Sequence, residues 1–269
     1  MTSDGWVVSN LGAPAAPRSS GSARTVAQVL GLPDGIRGCL FDLDGVLTRT
    51  ATVHQAAWKR TFDAFLRERD PQAAEFGDED YTRYVDGKPR ADGVRDFLAS
   101  RGIELPEGSP DDGPDAQTVQ GVATRKNELV QAELDEHGVQ VYEGSVRYLH
   151  AVKDAGLPVA VVTASANGEK VIAAAGFADL VDARIDGVVT AREGYRGKPA
   201  PDTFLAGARA LGLQPAEAVV FEDAQSGVAA GRAGHFGHVV GVDRVGGGQA
   251  EALREHGADV VVTDLDQLL

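Results

Sequence analysis

From Val141 to the C-terminus, short β-branched runs alternate with helical stretches. That alternation leaves few folds open besides a parallel sheet with helices on both faces. The spacing predicts helix 146–155, strand 159–162, helix 169–175, strand 183–188, helix 201–211 and strand 219–221. Helix 227–233, strand 239–242, helix 249–256 and strand 260–262 then follow. An earlier apolar run, Gly38-Cys39-Leu40-Phe41, stands apart from this series. Between the two lies a helical block, 53–69, 92–101 and about 122–137, with an acidic loop containing Pro and Gly at 106–116. The expected architecture is α/β: a Rossmann-like parallel-sheet core interrupted once by an α-helical cap.

The residues at the strand ends carry the chemistry. The first strand runs directly into Asp42-Leu43-Asp44-Gly45-Val46. In an extended segment residues i and i+2 share a face, so Asp42 and Asp44 can converge on one small volume. Carboxylates held that close repel each other unless a proton or cation sits between them. Mg²⁺, a hard ion that prefers oxygen ligands and travels with phosphate, is the economical cation. An acidic Asp-Gly turn is the plainer reading. Three other segments are complementary: Thr163-Ala164-Ser165 after the second predicted strand, Glu222-Asp223 after 219–221, and Lys198 in the stiffened loop Gly197-Lys198-Pro199. Thr163 could be a helix cap, Lys198 a solvated loop residue and Glu222-Asp223 an acidic cap. Open parallel sheets, however, bind ligands outside the carboxyl ends of their strands, where all four segments would meet. Together they point to phosphoryl transfer.

These four segments, in this order, resemble the signature of the haloacid dehalogenase superfamily of aspartate-nucleophile phosphotransferases, and the match extends from about Gly38 to the C-terminus. The resemblance implies Asp42 as the nucleophile that becomes an aspartyl phosphate and Asp44 as general acid and base. Thr163 and Lys198 would hold the transferring group, and Asp42, the Asp44 carbonyl, Glu222 and Asp223 would surround Mg²⁺. It also implies domains at 35–51 plus 139–269 for the core and 52–138 for a mobile cap.

The cap narrows the resemblance to the β-phosphoglucomutase-like sugar-phosphate subfamily. His54 and Trp58 lie one helical turn apart, Arg90 follows Gly87-Lys88-Pro89, and Lys126 sits early in the third cap helix. These match the subfamily's substrate contacts, as Ser165 and Asn167 match those of its core. Two positions depart from the pattern: Ala166 replaces a lysine after the serine, and Gly93 replaces a small polar residue. The resemblance implies a Mg²⁺-dependent mutase taking β-glucose 1-phosphate to glucose 6-phosphate. Hydrolysis of a sugar phosphate or similar phosphomonoester is the alternative. A silent sugar-phosphate binder is a third reading, and the paired acids Asp42/Asp44 and Glu222/Asp223 argue against it, since binding alone needs no nucleophile.

Charge and composition bound the remaining possibilities. With 26 Lys and Arg against 40 Asp and Glu, a formal charge of -14, a nucleic-acid or anionic-membrane partner is not expected. A small anionic substrate still is, because the local field is set by a metal and a few cations. The one cysteine, Cys39, lies in a core strand and excludes an internal disulfide. No run of about 18 apolar residues occurs. Residues 1–34 read as a flexible Ser-, Ala-, Gly- and Pro-rich tail without a secretory signal. The six histidines show no metal-ligand spacing, and Gly246-Gly247-Gly248 is a loop and not a dinucleotide fingerprint. The expectation is a cytoplasmic monomer acting on a small-molecule sugar phosphate.

Overall fold

A computed structural model describes residues 25–269. Six strands form one parallel sheet in the order β3-β2-β1-β4-β5-β6. They are β1 (Gly38–Phe41), β2 (Val159–Val162), β3 (Ala183–Ile185), β4 (Ala218–Glu222), β5 (His238–Val242) and β6 (Val260–Val262). Central β1 pairs on both sides, Cys39 facing Val159 of β2 and Val219 of β4. All four of its residues are buried, as are those of β2 and β4. Helices cover both faces, so these strands read as continuous apolar runs without alternation. Chain order reverses across β1, and its carboxyl end is therefore the crevice where such sheets bind ligands. Directly beneath that crevice Phe41 and Phe221 stack with centroids 4.5 Å apart, and Tyr148 packs edge-on to both.

The cap is built on the long helices Thr50–Arg69 and Val119–His137, with Arg90–Ser100 packed across them. It has its own aromatic core of Trp58, Phe62, Phe65, Phe76 and Phe97. The chain enters and leaves the cap side by side. Thr48 bridges Val141, Arg49 N–H donates to Gln140 O, and Tyr142 N–H donates to Leu47 O.

Two expectations needed correction, and one segment had been given no reading. The strand predicted at 183–188 stops at Ile185, because the buried Asp186 carboxylate accepts from Val189 N–H and caps a helix, Gly187–Glu193. The β-branched pair Val188-Val189 hid that cap signal in the sequence. The turn Asp78–Asp80 and the π-helix Tyr81–Val85, ahead of Arg90, had no sequence counterpart. The expected tail is shorter than 1–34. Residues 1–24 lie outside the described residues, but a capping box of Thr25 and Gln28 starts the helix Val26–Val29. Leu30 and Leu32 are buried in the core, and the Tyr148 hydroxyl donates to Leu30 O at 2.9 Å. Among the described residues no helix is long and apolar enough to cross a membrane.

Candidate active site

β1 and β2 each place a candidate residue, Asp42 and Thr163, directly after the last residue of the strand, whereas Glu222 is the last residue of β4. Asp42 N–H donates to Phe221 O and Thr163 N–H to Ile185 O, so the sheet itself aims both side chains at the crevice. Asp42, Glu222 and Asp223 bring carboxylate oxygens within 4.8 Å of one another. Lys198, 3% exposed, reaches them from its loop. Its Nζ donates to Asp42 Oδ1 at 2.5 Å, to Glu222 Oε1 at 2.6 Å and to Val162 O at 3.2 Å. The second oxygen of Glu222 accepts from Ala224 N–H.

Three carboxylates around one ammonium would, with all of them ionised, carry an excess of two negative charges in a buried volume. Burial, and then the neighbouring acids, push Asp42 and Asp223 well above the usual carboxylate range, only partly opposed by Lys198. Burial alone would lower Lys198, but Asp42 and Glu222 more than offset it and keep it charged. A hard divalent cation with oxygen ligands fits this donor set in charge and chemistry.

The Asp44 carboxylate does not join that group. Thr50 Oγ1 donates to it at 2.5 Å and Thr163 Oγ1 at 2.8 Å, with His54 Nε2 3.4 Å away. Burial would raise its pKa, yet His54 and these hydroxyls prevail and hold it well below the usual range. Its main-chain carbonyl is thus the atom through which Asp44 would serve a metal. The side chain is kept ionised at the cap boundary, suited to accepting a proton. Gly45 makes the turn possible at φ +98°, where a Cβ would lie 1.9 Å from Asp223 Oδ2. Gly45→Ala is therefore expected to displace Asp223 and cut activity by roughly ten- to a hundredfold. Unaltered steady-state rates would show that the turn tolerates a side chain.

A cavity of about 50 Å³ lies above these acids, walled by Asp42, Asp44, Thr163, Ser165, Glu222 and Asp223 from the core and His54, Trp58, Arg90 and Lys126 from the cap. Lys126 Nζ is 2.6 Å from His54 Nδ1 and 4.9 Å above the Trp58 ring. Burial first, and then Arg90, push Lys126 down to about 7 against the pull of Asp44. Burial and Lys126 likewise lower His54. Arg90 begins the helix Arg90–Ser100 and makes no hydrogen bond or ion pair among the described residues, although burial lowers its pKa. A guanidinium so placed calls for an anion from outside the protein.

Two expected contacts are placed differently. Lys198 lines the groove beside this cavity and reaches Asp42 and Glu222 from there. Asn167 is also outside it: its amide donates to Asn127 Oδ1 at 3.0 Å and accepts from Gln131 at 3.3 Å, joining core to cap. Ser165 Oγ accepts from Asn167 N–H.

Sequence reading missed Thr50, Tyr81 and Asp86. Asp86, on the cap side of the cavity, is pushed up to about 7 by burial first and then by Glu222 and Asp44, against Tyr81 and Lys198. Nothing in local periodicity marks these three, since a π-turn positions two of them.

The model of the haloacid dehalogenase-like hydrolase family matches residues 36–235. A β-phosphoglucomutase of Mycobacterium bovis is 56% identical over 255 residues, covering 90% of this chain and 95% of that one. Hexitol phosphatase A of Escherichia coli is 29% identical over 232 residues, 86% of this chain and 93% of that one. Among solved structures, a β-phosphoglucomutase from Clostridium difficile superposes with a TM-score of 0.69 at 24% identity, covering 87% of this chain and 93% of that one.

Proposed function

The chain belongs to the haloacid dehalogenase-like hydrolase family and is an enzyme of it, and from that premise we propose a β-phosphoglucomutase that interconverts β-glucose 1-phosphate and glucose 6-phosphate. The observation that carries this reading is Arg90, a cavity-facing guanidinium without a protein partner, on the cap wall across from the Asp42 cluster. A hydrolase needs one phosphate site, whereas a mutase working through a bisphosphate needs two. The 56% identical relative supports the same choice.

In the proposed cycle Asp42 attacks the phosphorus of a donor bisphosphate. The P–O bond to the sugar breaks as the departing oxygen takes from Asp44 the proton that this carboxylate had accepted from a sugar hydroxyl in the preceding half of the cycle. Asp44, ionised again, then removes the proton from the hydroxyl of the incoming sugar monophosphate as that oxygen attacks the aspartyl phosphate. Lys198 lowers the repulsion between the anionic nucleophile and the phosphoryl group. Thr163, released from Asp44, would donate to a phosphoryl oxygen. Mg²⁺ bound by Asp42, Glu222 and Asp223 would neutralise charge developing on the transferring group. The His54–Lys126 pair ties the cap to Asp44, so cap closure and a competent acid/base go together, which excludes water from the aspartyl phosphate.

Arg90→Ala tests the assignment. Loss of paired, charge-assisted bonds to a phosphate costs a few kcal/mol, so isomerisation is expected to fall by roughly a hundredfold or more. Hydrolysis of p-nitrophenyl phosphate, which carries no second phosphate, should barely change. Equal losses would indicate a damaged cap, and an unchanged mutase rate would remove Arg90 from the site. The similarity to hexitol phosphatase A keeps sugar-phosphate hydrolysis as the second reading, and product analysis with a bisphosphate primer separates the two.

A further inference from the structure

The proposed cycle gives no task to one acid of the cavity wall. Of the five carboxylates that line it, Asp42, Glu222 and Asp223 gather where a metal would bind, and Asp44 is the acid and base. The fifth, Asp86, comes from the cap. It is only partly buried, so a molecule in the cavity can reach it. Lys198, which favours its charged form, is spent on Asp42 and Glu222, and Asp86 forms no ion pair among the described residues. The influence of Glu222 and Asp44 on its charge puts it at the reacting end of the cavity.

The chain fixes Asp86 from two sides. The π-helix Tyr81–Val85 ends at it, with Asp86 N–H donating to Tyr81 O at 3.0 Å. Ser226 Oγ of the core donates to Asp86 O at 2.8 Å, and Gly87 follows at φ +69°, where a Cβ would lie 2.4 Å from that same hydroxyl. The loop is thereby pressed onto the core, and the carboxylate holds a set position relative to the Asp42 site. Single π-turns of this kind are frequent at functional sites.

Three kinds of partner could meet this carboxylate. A phosphate is repelled by it. A metal ion is served by the oxygens of Asp42, Glu222 and Asp223 that lie within 4.8 Å of one another, a group that Asp86 does not join. The neutral hydroxyls of a sugar remain, and an ionised carboxylate, whose two oxygens only accept, suits adjacent hydroxyls of a ring. Other polar groups of the wall are committed, His54 to Lys126, Asn127 to Asn167 and Lys88 to Asp96. We propose that Asp86 is a specificity-determining residue of this site, accepting hydrogen bonds from ring hydroxyls beside the phosphate that is reacting. Because Asp86 belongs to the cap and the phosphate rests on the core, a hydroxylated substrate then draws the two together more firmly than a bare phosphomonoester does. This rests on the sugar-phosphate reading of the site and holds for mutase and hydrolase alike.

The test compares kcat/KM of the full chain with Mg²⁺ for β-glucose 1-phosphate and its 2-deoxy, 3-deoxy and 4-deoxy analogues, following both the 6-phosphate product and inorganic phosphate. Hydrolysis of p-nitrophenyl phosphate, which has no hydroxyls, is the reference for each ratio. In the wild type, removal of at least one hydroxyl should cost roughly ten- to a hundredfold, the worth of a hydrogen bond to a charged group. Asp86→Ala should lose a similar factor on the parent sugar relative to the reference, and should treat that analogue and the parent within about twofold of each other. Asp86→Asn, which keeps one acceptor oxygen and the shape, should recover part of the discrimination. Penalties that persist undiminished in Asp86→Ala, or a loss shared equally by p-nitrophenyl phosphate, overturn the proposal. So does a Mg²⁺-induced rise in melting temperature that disappears in Asp86→Asn, which would assign the carboxylate to the metal. Discrimination seen in phosphate release, with no 6-phosphate formed, fails the mutase reading and leaves Asp86 in its role.

Discussion

Asp42→Asn is expected to abolish turnover, by roughly 10⁴-fold or more, without unfolding the protein. An amide cannot attack phosphorus to form the acyl phosphate, so the covalent route is lost. The fold should not suffer, because Asp42 belongs to a buried cluster of three carboxylates faced by one ammonium. Replacing one carboxylate by an isosteric amide relieves repulsion that burial makes costly. The melting temperature should therefore hold or rise while steady-state activity and the acid-trapped phosphoenzyme disappear. Near-normal turnover in this variant would remove Asp42 as nucleophile.

Excess chelator is expected to bring activity to background, and Mg²⁺ to restore it. Asp42, Glu222 and Asp223 converge with only Lys198 to balance them, so in the absence of a cation the cluster favours protonation over binding a further anion. A phosphate could enter such a site only with a compensating charge. Ca²⁺ should inhibit, since its larger and looser coordination sphere misplaces the phosphoryl group. A second readout is independent of turnover: Mg²⁺ should raise the melting temperature of the wild type by mass action and lose that effect in Asp223→Asn. Full activity in excess chelator would assign the three acids another purpose.

The sheet and the polar residues at its strand ends were legible in the sequence because both are local. A buried parallel strand shows as an unbroken apolar run, and the residue after it lies at the carboxyl edge of the sheet. Phe41-Asp42, Val162-Thr163 and Phe221-Glu222-Asp223 all read this way, and the strands carrying them lie side by side. Helix 187–193 was misread where two signals competed, the β-branching of Val188-Val189 against the capping carboxylate of Asp186. The cap residues that line the cavity, His54, Trp58, Arg90 and Lys126, were picked out by resemblance. Tyr81 and Asp86 were invisible because a π-helix follows neither helical nor strand periodicity.

By itself the sequence determined the parallel α/β core, the helical insertion and the set of groups gathered at the carboxyl edge of the sheet, since hydrophobic period and strand-end identity are properties of near neighbours. Only the tertiary structure decided what each group does with its charge. Asp44 turns from the acidic cluster because Thr163, 119 residues away, and Thr50 of the cap hold it. Lys198 is committed to Asp42 across 156 residues, and Arg90 is left without a protein partner. The physical reason is that burial and Coulomb interaction depend on distance through space and on the exclusion of water, which spacing along the chain does not encode.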